Sequence, residues 1–134
     1  MGQLIVDIKK LRHNIRFLVQ YCNHFGLQIT GVLKGPELDA VIINEMLSNG
    51  INNVGFSNLP LENNYTELFG KKPVFISLPS IYDIKDIIKS FSTSFNSDIS
   101  IIKKINEALL AENKSHSIVL MVDTGDLREG VLPE

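Results

Sequence analysis

"ITGVLKGPELDA", residues 29–40, is the stretch on which the reading of the fold turns. Ile29 to Leu33 has the composition of a buried strand, Lys34 takes its last position, and Gly35-Pro36 breaks the chain immediately afterwards. A lysine ending a core strand has two physical readings. Its stem can cover apolar surface while the ammonium reaches water. Alternatively its amine is the working group, because the carboxyl ends of the strands in parallel α/β folds hold the active site. A lysine partly desolvated there has its pKa lowered and becomes a nucleophile towards carbonyls.

Outward from this stretch the chain alternates helix and strand. Ile8, Leu11, Ile15, Leu18, Cys22 and Phe25 recur every three or four residues, which predicts an amphipathic helix over 8–25 ending at Gly26. After the "LQITGVL" strand, a second helix is expected over 37–48, with Leu38, Val41, Ile42, Glu45 and Met46 on one side and Asn49-Gly50 as its stop. "NNVGF" follows as a strand, and 57–72 as a loop with a short helix. "PVFIS", 73–77, reads as a buried strand. Ser80 and Asp83 resemble a capping box opening a helix through Phe91, with Ile84, Ile87, Ile88 and Phe91 inward. "TSFN", 93–96, is a short strand, a helix over about 97–113 follows, and "SIVLMVD", 117–123, has the continuous apolar character of a central strand.

Five such strands separated by helices predict an α/β fold with a parallel sheet covered by helices. An open doubly wound sheet and part of a (β/α)8 barrel both satisfy that pattern. A complete barrel needs about 200 residues or more, whereas this chain has 134, so a barrel here would be partial.

Composition narrows the function classes. Hydrophobic residues make up 44% and charged residues 21%, and the net charge is -2, which gives no basis for non-specific attraction to nucleic acid or an anionic membrane. A single cysteine, Cys22, excludes an internal disulfide and suits a reducing compartment. No apolar run is long enough to span a bilayer, and "MGQLIVDIKK" carries Asp7 and two lysines where a signal peptide needs an apolar core. A cytoplasmic protein is expected.

Further candidates lie in "VDTGDLREG", 122–130. Asp123 ends the fifth strand, Gly125 permits a tight turn, and Arg128 projects either as an ordinary surface residue or as a clamp on an anionic oxygen, with Asp123 orienting it or capping the turn. Asn96-Ser97, at the fourth strand end, suits a helix cap or a site lining. His13, His24 and His116 have no metal-site spacing and read as surface histidines, His116 in a polar loop. No Gly-x-Gly-x-x-Gly, P-loop or nucleophile elbow is present.

Taken in order, "LRHNIRFLVQYCNHFG", "GVLK", "SLPSIYDI", "SFNSDISIIKKI" and "VLMVDTGDLREGVLPE" closely resemble the N-terminal part of pyridoxal-phosphate-dependent amino-acid racemases of the alanine racemase fold type, above all the ornithine-racemase-like branch. The resemblance runs from about Leu4 to Glu134, and its last segment is the most specific. It implies a partial (β/α)8 barrel as a single domain over 1–134, lacking the second half of the barrel and the β domain. It also implies that Lys34 binds pyridoxal 5'-phosphate covalently and serves as one of two proton-transferring bases. Arg128 then matches the arginine that hydrogen-bonds the cofactor's phenolic oxygen, and Asn96 and Ser97 a polar pair near the cofactor.

The expected substrate is a small amino acid such as alanine or ornithine, and the intact protein is expected to be a homodimer, with no nucleic-acid or membrane partner. The relatives' Gly-Asp-Pro-type turn is replaced by "GPELDA", where only Asp39 keeps register, and their Asp-Ser-Arg-type stretch by "FSN", 56–58. The second base lies beyond Glu134, so this chain alone is expected to be inactive, with an exposed sheet edge. The alternative reading is a non-catalytic pyridoxal-phosphate-binding protein of cofactor homeostasis. A third is a half-barrel serving only as an assembly module.

Overall fold

A computed structural model describes residues 5–34, 39–59 and 65–132 of the chain. They divide into two compact units, Met1–Gly55 and Phe56–Glu134.

The first unit opens with α1, Ile8–His24, started by the Asp7 carboxylate accepting the N–H groups of Lys9 and Lys10 at 3.0 and 3.1 Å. Its far end closes as a Schellman motif: Leu27 N–H donates to the Cys22 carbonyl, Gly26 N–H to that of Asn23, and Gly26 takes φ +68°. β1, Thr30–Leu33, leads through Lys34 towards α2, Ala40–Ser48. The expected start of α2 at 37 falls on residues outside those described. Asp39 is its cap, accepting from the N–H groups of Val41 and Ile42 at 2.9 and 3.0 Å, so the one residue in register with the relatives' turn has a local structural task.

β2, Asn53–Phe56, lies beside β1. Ile15, Val19 and Ile51 form the core, with Leu11, Ile29 and Met46 packed on it. The buried stripe of α1 is therefore rotated from the expected one: Val19 is inside, while Leu18 and Phe25 are exposed.

In the second unit α3, Tyr65–Phe69, is the short helix expected in the 57–72 loop. β3, Val74–Phe75, is parallel to β4, Thr93–Asn96, with Val74 opposite Thr93. β5, Ser117–Leu120, is parallel to β4 from Thr93–Ser117 to Asn96–Leu120. The end of β2 joins this ladder, since the Phe56 carbonyl accepts Ile76 N–H at 3.0 Å. α4, Ile84–Ser90, and α5, Ile99–Glu112, pack on each other through the cluster of Ile84, Ile88, Ile105 and Leu109.

Half of the expected capping box forms before α4, where Asp83 accepts from both the N–H and the hydroxyl of Ser80. Neighbours in the sheet are neighbours in sequence, without the reversal that defines a doubly wound sheet. The fold is a partial (β/α)8-type barrel.

One strand departs from its expected setting. All four residues of β5 are exposed, although its apolar run suits a central strand. Val122 continues it only by an isolated bridge to Val131. Composition records what a strand is suited to be buried against. It does not record whether anything covers it, and among the described residues only β4 pairs with β5.

Candidate functional site

Lys34 stands one residue beyond β1, at its carboxyl end, next to buried Leu33. Its side chain is exposed, and among the described residues no hydrogen bond or ion pair ties it. The partial desolvation expected of a nucleophilic lysine is thus not supplied by the described residues of the first unit. The position suits an amine that must reach a carbonyl group, since a bonded ammonium would first have to leave its partner.

The second unit holds the other candidates. Asn96 ends β4 and is 1% exposed. Its Nδ2 donates to the Ser94 carbonyl and the Ser94 hydroxyl, both at 2.9 Å, which fixes the carboxamide and leaves Oδ1 buried without a partner. Asn96 and Ser97 line one cavity of about 280 Å³ with Leu78, Pro79, Asp98 and Ile101. This cavity lies where β3 and β4 end and α5 begins. Neither residue caps α5: that is Asp98, which accepts Ser100 N–H at 2.7 Å, and whose pKa is lowered mainly by its hydrogen bonds to Ser100. The polar pair is therefore free of the capping duty that its spacing suggested.

Arg128 lies beyond β5 on a closed loop, exposed and outside the lining of this cavity. The loop is built by its neighbours. The buried Asp123 carboxylate accepts Gly125 N–H at 2.7 Å and Leu127 N–H at 3.3 Å, while Asp123 N–H donates to the Val131 carbonyl and Val131 N–H to that of Met121. Asp123 thus caps the turn, and the Gly125 N–H bond is the main reason its pKa is lowered.

His116 corrects a sequence reading. It is half-buried rather than a surface residue, and its Nε2 lies 2.9 Å from the Ser94 hydroxyl, the group that also holds Asn96. Burial lowers its pKa, the Phe91 backbone carbonyl opposes the shift, and the charge of Lys72 adds to it. Isolated between Ser115 and Ser117, it carried no periodic signal that could reveal this partner. His13 and His24 are exposed, and no metal-binding cluster occurs among the described residues. No helix among them is long and apolar enough to cross a membrane.

Comparison with known proteins gives this arrangement a context. Residues 6–134 match the family described as alanine racemase, N-terminal domain. The ornithine racemase of Acetoanaerobium sticklandii is 31% identical over 128 residues, covering 96% of this chain and 36% of that protein. The lysine racemase of Thermotoga maritima is 27% identical over 130 residues, covering 96% of this chain and 37% of that protein. The chain therefore spans little more than a third of the length of these relatives. With residues 6–134 matched, it belongs to the alanine racemase N-terminal domain family.

Proposed function

We propose that this chain is the lysine-bearing part of a pyridoxal 5'-phosphate-dependent amino-acid racemase acting on a small amino acid such as alanine or ornithine. The observation that carries the reading is Lys34: an exposed primary amine at the carboxyl end of β1 with no partner among the described residues, in a chain whose relatives are named as racemases of ornithine and lysine. The family resemblance assigns the Lys34 amine to the cofactor's aldehyde, the Arg128 guanidinium to its phenolic oxygen, and Asn96 and Ser97 to polar neighbours. When bound, the cofactor would supply an electron sink for the bond to the α-hydrogen. Lys34 has two tasks in this reading, to hold the cofactor and to move a proton at the α-carbon on one face. Arg128, with no described partner, is available to orient an anionic oxygen.

Inversion needs a base on the opposite face as well, and we assign that base to a segment not in this chain. By itself the chain then binds cofactor without racemising. We further propose that residues 1–134 form one partial barrel domain, and that the intact protein is a cytoplasmic homodimer.

The test is to mix the purified chain with pyridoxal 5'-phosphate, reduce with borohydride, and locate the added mass by peptide mapping, beside Lys34→Ala. The expected result is cofactor mass on the Lys34 peptide, with none fixed in Lys34→Ala. Labelling scattered over other lysines, with Lys34 unmodified, overturns the reading.

A further inference from the structure

A half-buried histidine at the amino end of β5 and a buried asparagine at the carboxyl end of β4 share one serine hydroxyl. Both bonds to the Ser94 hydroxyl are 2.9 Å, one from Asn96 Nδ2 and one to or from His116 Nε2. The direction of the second follows from the proton count. Asn96 Nδ2 also donates to the Ser94 carbonyl, which can only accept, so the amide orientation is fixed and the Ser94 oxygen receives one of its protons. The hydroxyl's own proton then needs an acceptor, and Nε2 of a neutral His116 is the one within reach. The imidazole proton then sits on Nδ1, which is buried without a hydrogen-bond partner among the described residues.

We propose that His116 is a positioning residue for Asn96: while neutral, it holds the Ser94 hydroxyl as a donor and so locks the Asn96 carboxamide at the edge of the cavity between β3, β4 and α5. Protonation converts Nε2 from acceptor to donor. The Ser94 proton then loses its acceptor, and the hydroxyl must turn within a buried setting where Asn96 has no other bond to Nδ2 than those to Ser94.

Charges around the ring set when this happens. Lys72, preceding β3, opposes the imidazolium. Lys103 and Glu107 of α5 line the same 400 Å³ cavity as His116, with opposite signs. What the positioned carboxamide serves rests on the cofactor reading above; the coupling itself does not.

The experiment is an NMR titration of the whole chain, following the His116 ring nitrogens and the Asn96 side-chain NH2 pair. The expected result is an Asn96 pair that moves with the His116 midpoint. His116→Gln, whose carbonyl accepts the Ser94 proton without titrating, is expected to hold that pair in its high-pH position throughout. Ser94→Ala is expected to abolish the coupling while His116 still titrates. An Asn96 pair that stays fixed while His116 titrates in the unaltered chain overturns the proposal, and needs no variant to fold. Failure of borohydride to fix cofactor on Lys34 would sink the racemase reading and leave these resonances unchanged, so the two failures are distinguishable.

Discussion

Gly130 shows how tightly single positions shape the loop that carries Arg128. It takes φ +119°, and a Cβ there would lie 2.5 Å from the Asp123 backbone nitrogen, with no side chain to yield. Gly130→Ala is expected to cost more than about 1–3 kcal/mol, the scale of a forced backbone conformation, read as a lowered urea midpoint. Asp123 acts from the other side of the same loop, and its lowered pKa gives the sign of its pH dependence. A carboxylate with a depressed folded-state pKa stabilises above its unfolded value of about 3.9 and loses that contribution as pH falls through the folded value. Asp123→Asn is expected to flatten this acid limb of the stability curve. His116 has the opposite chemistry but a loss in the same direction: it is favoured neutral when folded. Stability is expected to fall as pH drops below about 6.5, down to the folded pKa, because the unfolded chain binds the proton first. His116→Gln is expected to remove that slope between pH 7 and 5 in pH-resolved urea melts.

At the scale of elements, α1 and α2 show what a bidentate pair adds to a small core. Arg12 Nε and Nη2 donate to the Glu45 carboxylate at 2.8 and 2.6 Å, Asn49 Nδ2 donates to the same carboxylate at 3.1 Å, and Arg16 Nε donates to the Asn49 side-chain Oδ1 at 2.7 Å. The hydrogen bond from Arg12 is the main cause of the lowered Glu45 pKa. A double-mutant cycle of Arg12→Ala and Glu45→Ala is expected to show favourable coupling that weakens with added salt.

These helices also show what periodicity reveals. The stops at Gly26 and Asn49-Gly50 were legible because left-handed turns leave a chemical mark. The helix faces were legible only to within a rotation. Leu18 and Val19 are both apolar, and packing against Ile51 decides which one is buried. The Lys34 strand end was equally readable, since a strand run and a break bracket it. The Ser94–His116 contact spans 22 residues and joins groups with no pattern of their own, so it emerged only with the fold.

For the molecule as a whole, β5 is the exposed flank of an otherwise regular parallel ladder. Ile118, Val119 and Leu120 are 36%, 40% and 54% exposed, and among the described residues β5 pairs only with β4. An edge of this kind presents apolar side chains together with backbone donors and acceptors that lack partners, the combination that templates strand addition. It has neither a lysine nor a proline within Ser117–Leu120 to discourage pairing. The net charge of -2 offers little repulsion between copies. The chain is therefore expected to self-associate reversibly as its concentration rises, seen in sedimentation velocity as a growing fast-moving component. Val119→Lys places a charge on the edge without removing a core contact, because Val119 is already 40% exposed. That variant is expected to sediment as a monomer over the same range, with an unchanged urea midpoint at low concentration. If Val119→Lys associates as strongly as the unaltered chain, the contact lies elsewhere, and the apolar face of α1 bearing Phe17, Tyr21 and Phe25 becomes the surface to alter next.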